Sequence, residues 1–202
     1  WVIPPRRGVL TVELVATYAV MTGCEPSYMP VILAALDGLK NRSINWQALT
    51  TTTHPNAPLI IVNGPIAKEI GLASGRGAMG GGYQANTSIG YAIALMTDIV
   101  GDSRPQANDN SSQGWAGNTV ATVAAENVDD SPWQPYSVDA GFSKDDNVVT
   151  VFSGGPPLNI ADHSSNTNEG VLRAFADSIT YAGQNSVCGL DRDVVIVINP
   201  EF

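Results

Sequence analysis

Apolar side chains recur at helical spacing over residues 11–22, where Val12, Leu14, Val15, Tyr18, Ala19 and Met21 alternate with polar positions. Thr11 stands where a helix takes its N-cap and Gly23 where it takes its terminator, so a helix is expected between them. A second is expected from Pro26 or Pro30 to Leu39, because proline suits a first turn. Its run from position 31 to 36 is apolar on nearly every side, which predicts burial. The most regular period lies at 85–100, with Ile89, Ile93, Met96 and Val100 on one face. A fourth helix is expected over 167–181, carrying Val171, Leu172, Phe175 and Ile179.

Between these, short apolar runs bounded by turn residues predict strands at 59–62, 119–124, 148–152 and 194–198. The threonines at 50–53 read as the end of another short strand before the turn His54-Pro55-Asn56-Ala57-Pro58. Pro65 opens a brief helix through Ile70, a glycine-rich loop runs to Gly82, and 102–118 reads as a surface loop. Strands alternating with helices predict an α/β fold: a parallel or mixed central sheet with packed helices, in a single layered sandwich domain.

The length of 202 residues suits that one domain, 1–202. The chain starts at Trp1 without methionine and stops at Phe202 just after a strand-like run, so it is expected to be a fragment of a longer open reading frame. A formal net charge of -9 opposes broad contact with phosphate backbones or anionic lipid, and neither nucleic acid nor membrane is expected as a partner. Two cysteines, Cys24 and Cys188, are too few to staple a domain of this size, which points to a reducing cytoplasm. No apolar run reaches the length of a membrane span, and no signal-peptide pattern opens the chain.

Gly75-Arg76-Gly77-Ala78-Met79-Gly80 matches the spacing of a dinucleotide fingerprint, but a helix intervenes between it and the preceding strand, and the next helix begins only near Ala85. A softer reading is an anion site, in which Gly80 and Gly81 supply free backbone N–H groups ahead of Asn86 and Thr87 at a helix start, with Arg76 as countercharge. The plainer reading gives the glycines turn duty and makes Asn86 or Thr87 an ordinary N-cap. The two histidines, His54 and His163, both lie beside turn residues, where acid–base groups are often displayed. Glu126 follows one expected strand, and Asn63 with Gly64 follows another, the positions at which α/β sheets collect ligands. Cys24 precedes a helix start that would favour a thiolate, although Glu25 beside it opposes one. Trp133 reads as a loop anchor, and no ligand spacing typical of a metal site occurs.

Several blocks taken together, Thr22-Gly23-Cys24-Glu25-Pro26, His54-Pro55-Asn56-Ala57-Pro58, Asn63-Gly64-Pro65, Asn86-Thr87-Ser88-Ile89-Gly90, Ala125-Glu126-Asn127 and Asp162-His163, resemble an uncharacterised bacterial family over about residues 4–200. That family is sometimes linked to a Gly-Ser-Cys motif carrying selenocysteine or cysteine, and its default label is thiol-disulfide oxidoreductase. The motif is absent here, as are an arginine after the cysteine and a Gly-Pro-Gly in the loop, where Glu25 and Gly80-Gly81-Gly82 stand instead.

These readings combine into an expectation: an enzyme of small-molecule metabolism with a pocket at one sheet edge. In it His54 or His163 does acid–base work, Glu126 orients or assists, Cys24 is a further candidate nucleophile, and Asn63, Gly64, Arg76, Gly80, Gly81, Asn86 and Thr87 hold a small anionic substrate. The rival is a non-catalytic ligand-binding module or subunit, with the apolar helix 30–39 turned to a second copy in a homo-oligomer. The cofactor stays unknown and no metal is expected.

Overall fold

A computed structural model describes residues 1–180 and 194–199. Its contacts group into two compact units, one formed by Trp1–Pro156 and a smaller one beginning at Pro157.

The larger unit opens with a two-stranded antiparallel ribbon, β1 (Val2–Ile3) and β2 (Gly8–Val9). Helix α1 (Val12–Met21) starts at Thr11, whose Oγ1 accepts from Leu14 N at 3.2 Å. It ends in a left-handed turn at Gly23, φ 80°, where Gly23 N donates to Val20 O and Cys24 N to Ala19 O. A side chain at that φ would be strained, which is why glycine closes the helix. A 3-10 turn at Pro26–Tyr28 then leads into α2 (Met29–Leu39).

Helix α2 buries Val31, Ile32, Ala35, Leu36 and Leu39 within the chain's own core. The apolar run assigned to a partner surface is therefore consumed internally. After the short α3 (Trp46–Leu49) no strand forms at the threonines. Thr50 Oγ1 donates to Trp46 O and Gln47 O, and Thr51 Oγ1 to Gln47 O, so these hydroxyls finish a helical turn instead of joining a ladder.

Strand β3 (Ala57–Asn63) is the centre of a three-stranded mixed sheet in the order β4-β3-β5. β4 (Thr122–Ala125) runs parallel to it, and β5 (Val148–Gly154) antiparallel. This is the α/β architecture, a mixed sheet with packed helices, expected from the alternation of elements. Strand β4 begins later than its apolar run suggests, because residues Ala116–Thr119 turn into a short helix, α6, after α4 (Pro65–Glu69) and the long α5 (Gln84–Val100) have passed.

Helices α2 and α5 cover one face of the sheet. Ile60 and Val62 point into that cover and are fully buried, while their neighbours Leu59 and Ile61 face the other side and are half-buried. On that second face Phe152, paired in register with Leu59, meets the ring of Tyr136 at 6.2 Å between centroids; Tyr136 opens the short α7 (Tyr136–Asp139).

In the smaller unit α8 (Asn168–Ile179) forms as expected, capped by Thr167 Oγ1 on Gly170 N at 3.1 Å. Residues 194–198, expected as the last strand, form none. Their side chains are exposed, so the β-branched residues there lack the cross-strand packing that makes them favourable in a sheet. Position 181 at the end of the expected helix, and Cys188, lie outside the described residues. Among those described, no helix is long and apolar enough to cross a membrane.

Candidate functional site

Two parallel strands end together at Asn63 and Ala125, and the residue after each expected strand proves to face the other. Asn63 Nδ2 donates to Glu126 Oε2 at 2.6 Å, and both carboxylate oxygens accept from Tyr136 N at 3.0 and 3.1 Å. The same carboxylate thus ties β3 to α7 and sets Tyr136 over Phe152. Donation to a carboxylate fixes which way the Asn63 amide faces. Its Oδ1 is left sealed from water with no partner among the described residues, in a side chain only 3% exposed.

Asn86 does not cap α5. Tyr83 takes that place, and Asn86 sits inside the first turn. Its Oδ1 accepts from Ala73 N, and its Nδ2 lies 3.2, 3.1 and 2.9 Å from the carbonyls of Ala73, Ala78 and Val123. One amide therefore joins helix, glycine loop and β4, and Ala125 N adds a bond to Ala73 O at 3.0 Å. Thr87, next along, keeps a buried Oγ1 without a partner among the described residues.

The loop from Gly71 to Gly82 is thereby anchored at the same sheet end as Asn63 and Glu126, with Arg76, Gly80 and Gly81 exposed on it. Tyr83 Oη donates to Arg76 O at 3.0 Å. Gly64 is there for a steric reason: its φ is 96°, and a Cβ would strike the Asp146 carbonyl. Gly81 has open space around it, so among the described residues no contact requires a glycine there.

Cys24 lies near this end through α5: Gln84 Nε2 donates to Gly23 O at 3.2 Å, and Cys24 Sγ is 3.6 Å from Thr22 Oγ1. Burial pushes its thiol up, against the opposing effect of hydrogen bonds from Thr22 and Ser88. A neutral thiol at pH 7 is a poor nucleophile.

His54 does not join the set. His54 precedes β3, and its Nε2 stands against Gly155, just past the β5 residue that pairs with Ala57. A seven-residue strand spans about 20 Å, so His54 sits at the opposite end of the sheet from Asn63 and Glu126. The expected common pocket of His54 with Glu126 is corrected on that ground. His163 belongs to the smaller unit, exposed beside Asp162. There Asp162 Oδ1 accepts from Ser164 N at 2.9 Å and Ser165 N at 3.0 Å, and hydrogen bonds from Ser165 and Ser164 hold the carboxyl well below the usual range. Trp133, expected as a loop anchor, is 67% exposed, and the ring that packs on the sheet from this loop is that of Tyr136.

A concavity, which the sequence reading passed over, opens at the His54 end between α3, the start of β3, the last turns of α5 and α6. It is a small open cleft with a volume of about 40 Å³, and Trp46, Asp98 and Asp109 line it. Burial and the neighbouring Asp109 push the Asp98 carboxyl up to about 7, with Arg104 opposing. The signal in the sequence was Asp98 itself, a carboxylate on the otherwise apolar final turns of α5, between Met96 and Val100.

Among the described residues no three His, Cys, Asp or Glu side chains are grouped to hold a metal ion. No family model, curated protein or solved structure matches the chain.

Proposed function

We propose that the chain is a small-molecule-binding domain whose ligand docks at the C-terminal end of the β3 and β4 pair, against the glycine loop and the first turn of α5. The observation that carries this reading is the unpartnered Oδ1 of Asn63, a buried acceptor held in place by Glu126. Leaving such an atom unsatisfied costs roughly 1–3 kcal/mol, so a ligand that supplies the missing donor recovers that cost. In open α/β sheets such ligands settle beyond the carboxyl ends of the parallel strands.

The ligand class that fits is a small hydroxy or amino acid: its hydroxyl or amine donates to Asn63 Oδ1, and its carboxylate meets the loop backbone and the N–H groups opening α5. Within this reading the protein is a binding module first. Glu126 is engaged by Asn63 and Tyr136, and His54 is a strand length away, so His/Glu acid–base chemistry draws no support from this end of the sheet. A cytoplasmic location belongs to the same reading, argued from the two cysteines and the acidic composition.

The test is thermal denaturation of the protein with a panel of small hydroxy acids and amino acids at millimolar concentration. At least one member raises the midpoint by several degrees in the wild type and not in Asn63→Ser. A panel without effect, or an effect undiminished in the variant, rejects the reading.

A further inference from the structure

The cleft at the opposite end of the sheet has its own unmet chemistry, independent of the site just proposed. Trp46 lines it from α3 and is 5% exposed, yet its indole N–H has no partner among the described residues. Facing it are two carboxyls. Asp109 is fixed by its Oδ1 accepting from Ser111 N at 2.9 Å, while no hydrogen bond or ion pair engages Asp98 among the described residues. Arg104, the nearby cation, is held by Asp102, with Nε at 2.8 Å from Oδ1, and Asp102 is shared with Arg6 at 3.0 Å.

An occupant must therefore do two things at once. It must accept from the Trp46 N–H, and it must compensate a pair of carboxyls that otherwise repel each other. A bare metal ion does the second but not the first, because an indole N–H points its positive end at it. A neutral polyol does the first but leaves Asp98 and Asp109 in conflict. The carbon part of the occupant has apolar wall to rest on, from Leu49, Pro58 and Ile93.

We infer that this cleft binds a small organic cation that also carries an oxygen acceptor, of the short-chain amino alcohol class. The ammonium lies between Asp98 and Asp109, and the oxygen accepts from Trp46 Nε1–H. Gly117, which lines the cleft, has no room for a side chain, because the ring of Trp115 lies where its Cβ would go.

The test is titration of the whole chain with 2-aminoethanol at pH 8, followed by the indole N–H resonance of Trp46 in a nitrogen–proton correlation spectrum. Loss of one resonance in Trp46→Phe assigns it. At that pH the amine is protonated and Asp98, facing Asp109 and Arg104, is ionised. The resonance shifts saturably with 2-aminoethanol, by at least ten times the shift that ethylene glycol produces at equal concentration. Asp98→Asn weakens the binding at least tenfold. Should that variant not fold, Asp109→Asn serves in its place. No saturable shift, an equal response to ethylene glycol, or undiminished binding in the carboxamide variant overturns the inference. Asn63→Ser leaves the titration unchanged, which separates failure here from failure of the other site.

Discussion

The amide of Asn63 and the carboxylate of Glu126 lie 63 residues apart in the chain and are joined by a 2.6 Å hydrogen bond at the ends of two parallel strands. That bond does two jobs. It satisfies one side of a buried amide, and it presents a carboxylate to the backbone N–H of Tyr136, which in turn packs on Phe152.

Replacing Glu126 with alanine leaves Asn63 with both polar atoms unmet. A loss of roughly 2–4 kcal/mol in urea unfolding is expected, from two charge-assisted bonds removed with one donor stranded. Glu126→Gln keeps an acceptor for Asn63 and should lose less than half as much. Equal losses would show that the negative charge, and not the shape, holds the junction.

Asn86 is the position where polarity matters most. Asn86→Asp turns a donor that faces three carbonyls into an acceptor. The expected cost is on the order of 3 kcal/mol or more, above that of Asn86→Ala, because a buried carboxylate would lie among oxygens. Limited proteolysis should then cut first within residues 71–83, where the amide no longer ties the loop to β4.

Asp98 gives the protein a pH signature. Its carboxyl titrates near 7 when folded and near the usual carboxylate value of 3.8 when unfolded, so the folded state holds the proton more tightly. Stability from this group is full below about 4, falls as pH rises to about 7, and is flat beyond. Asp98→Asn is therefore stabilising at pH 8 relative to wild type, by roughly 1–3 kcal/mol. That is less than the ~4 kcal/mol of a three-unit shift, because the carboxyl keeps some water. At pH 4 the two proteins converge, and denaturant midpoints at both values check it.

Cys24 should react slowly. In a Cys188→Ser background, iodoacetamide at pH 7 is expected to label it more slowly than it labels free cysteine, with the rate rising only above the ordinary thiol range, since burial favours the protonated form. Fast labelling at pH 7 would restore Cys24 as a nucleophile.

The sequence announced the fold through period and punctuation. Thr11 and Gly23 bracket α1, the spacing of Ile89, Ile93 and Met96 marks α5, and the run at 59–62 marks the central strand. The direction of β5 was not readable, because an antiparallel edge strand and a parallel one share the same apolar run. The threonines at 50–53 misled because β-branched residues also cap helical turns through their hydroxyls. Of the candidate site, Asn63, Glu126, Asn86 and the glycine loop do meet, since all follow or precede elements that end at the same sheet edge. His54 sits beside a turn just as they do, but at the other end of β3, and proximity to a turn says nothing about which end. Asp98 escaped because helical period marks it as one polar residue on a helix, not as a carboxyl half withdrawn from water by Asp109 and α3.

Strand β3 works as a ruler. Its register with β5 runs unbroken from Ala57 against Gly154 to Asn63 against Val148, so the Asn63–Glu126 junction and the Trp46 cleft are held at a fixed separation by a rod of backbone hydrogen bonds. That gap, about 20 Å, is several times the length of an amino acid or a short amino alcohol. Any mechanical coupling between the two ends therefore runs lengthwise, along the strand that carries Ile60 and Val62.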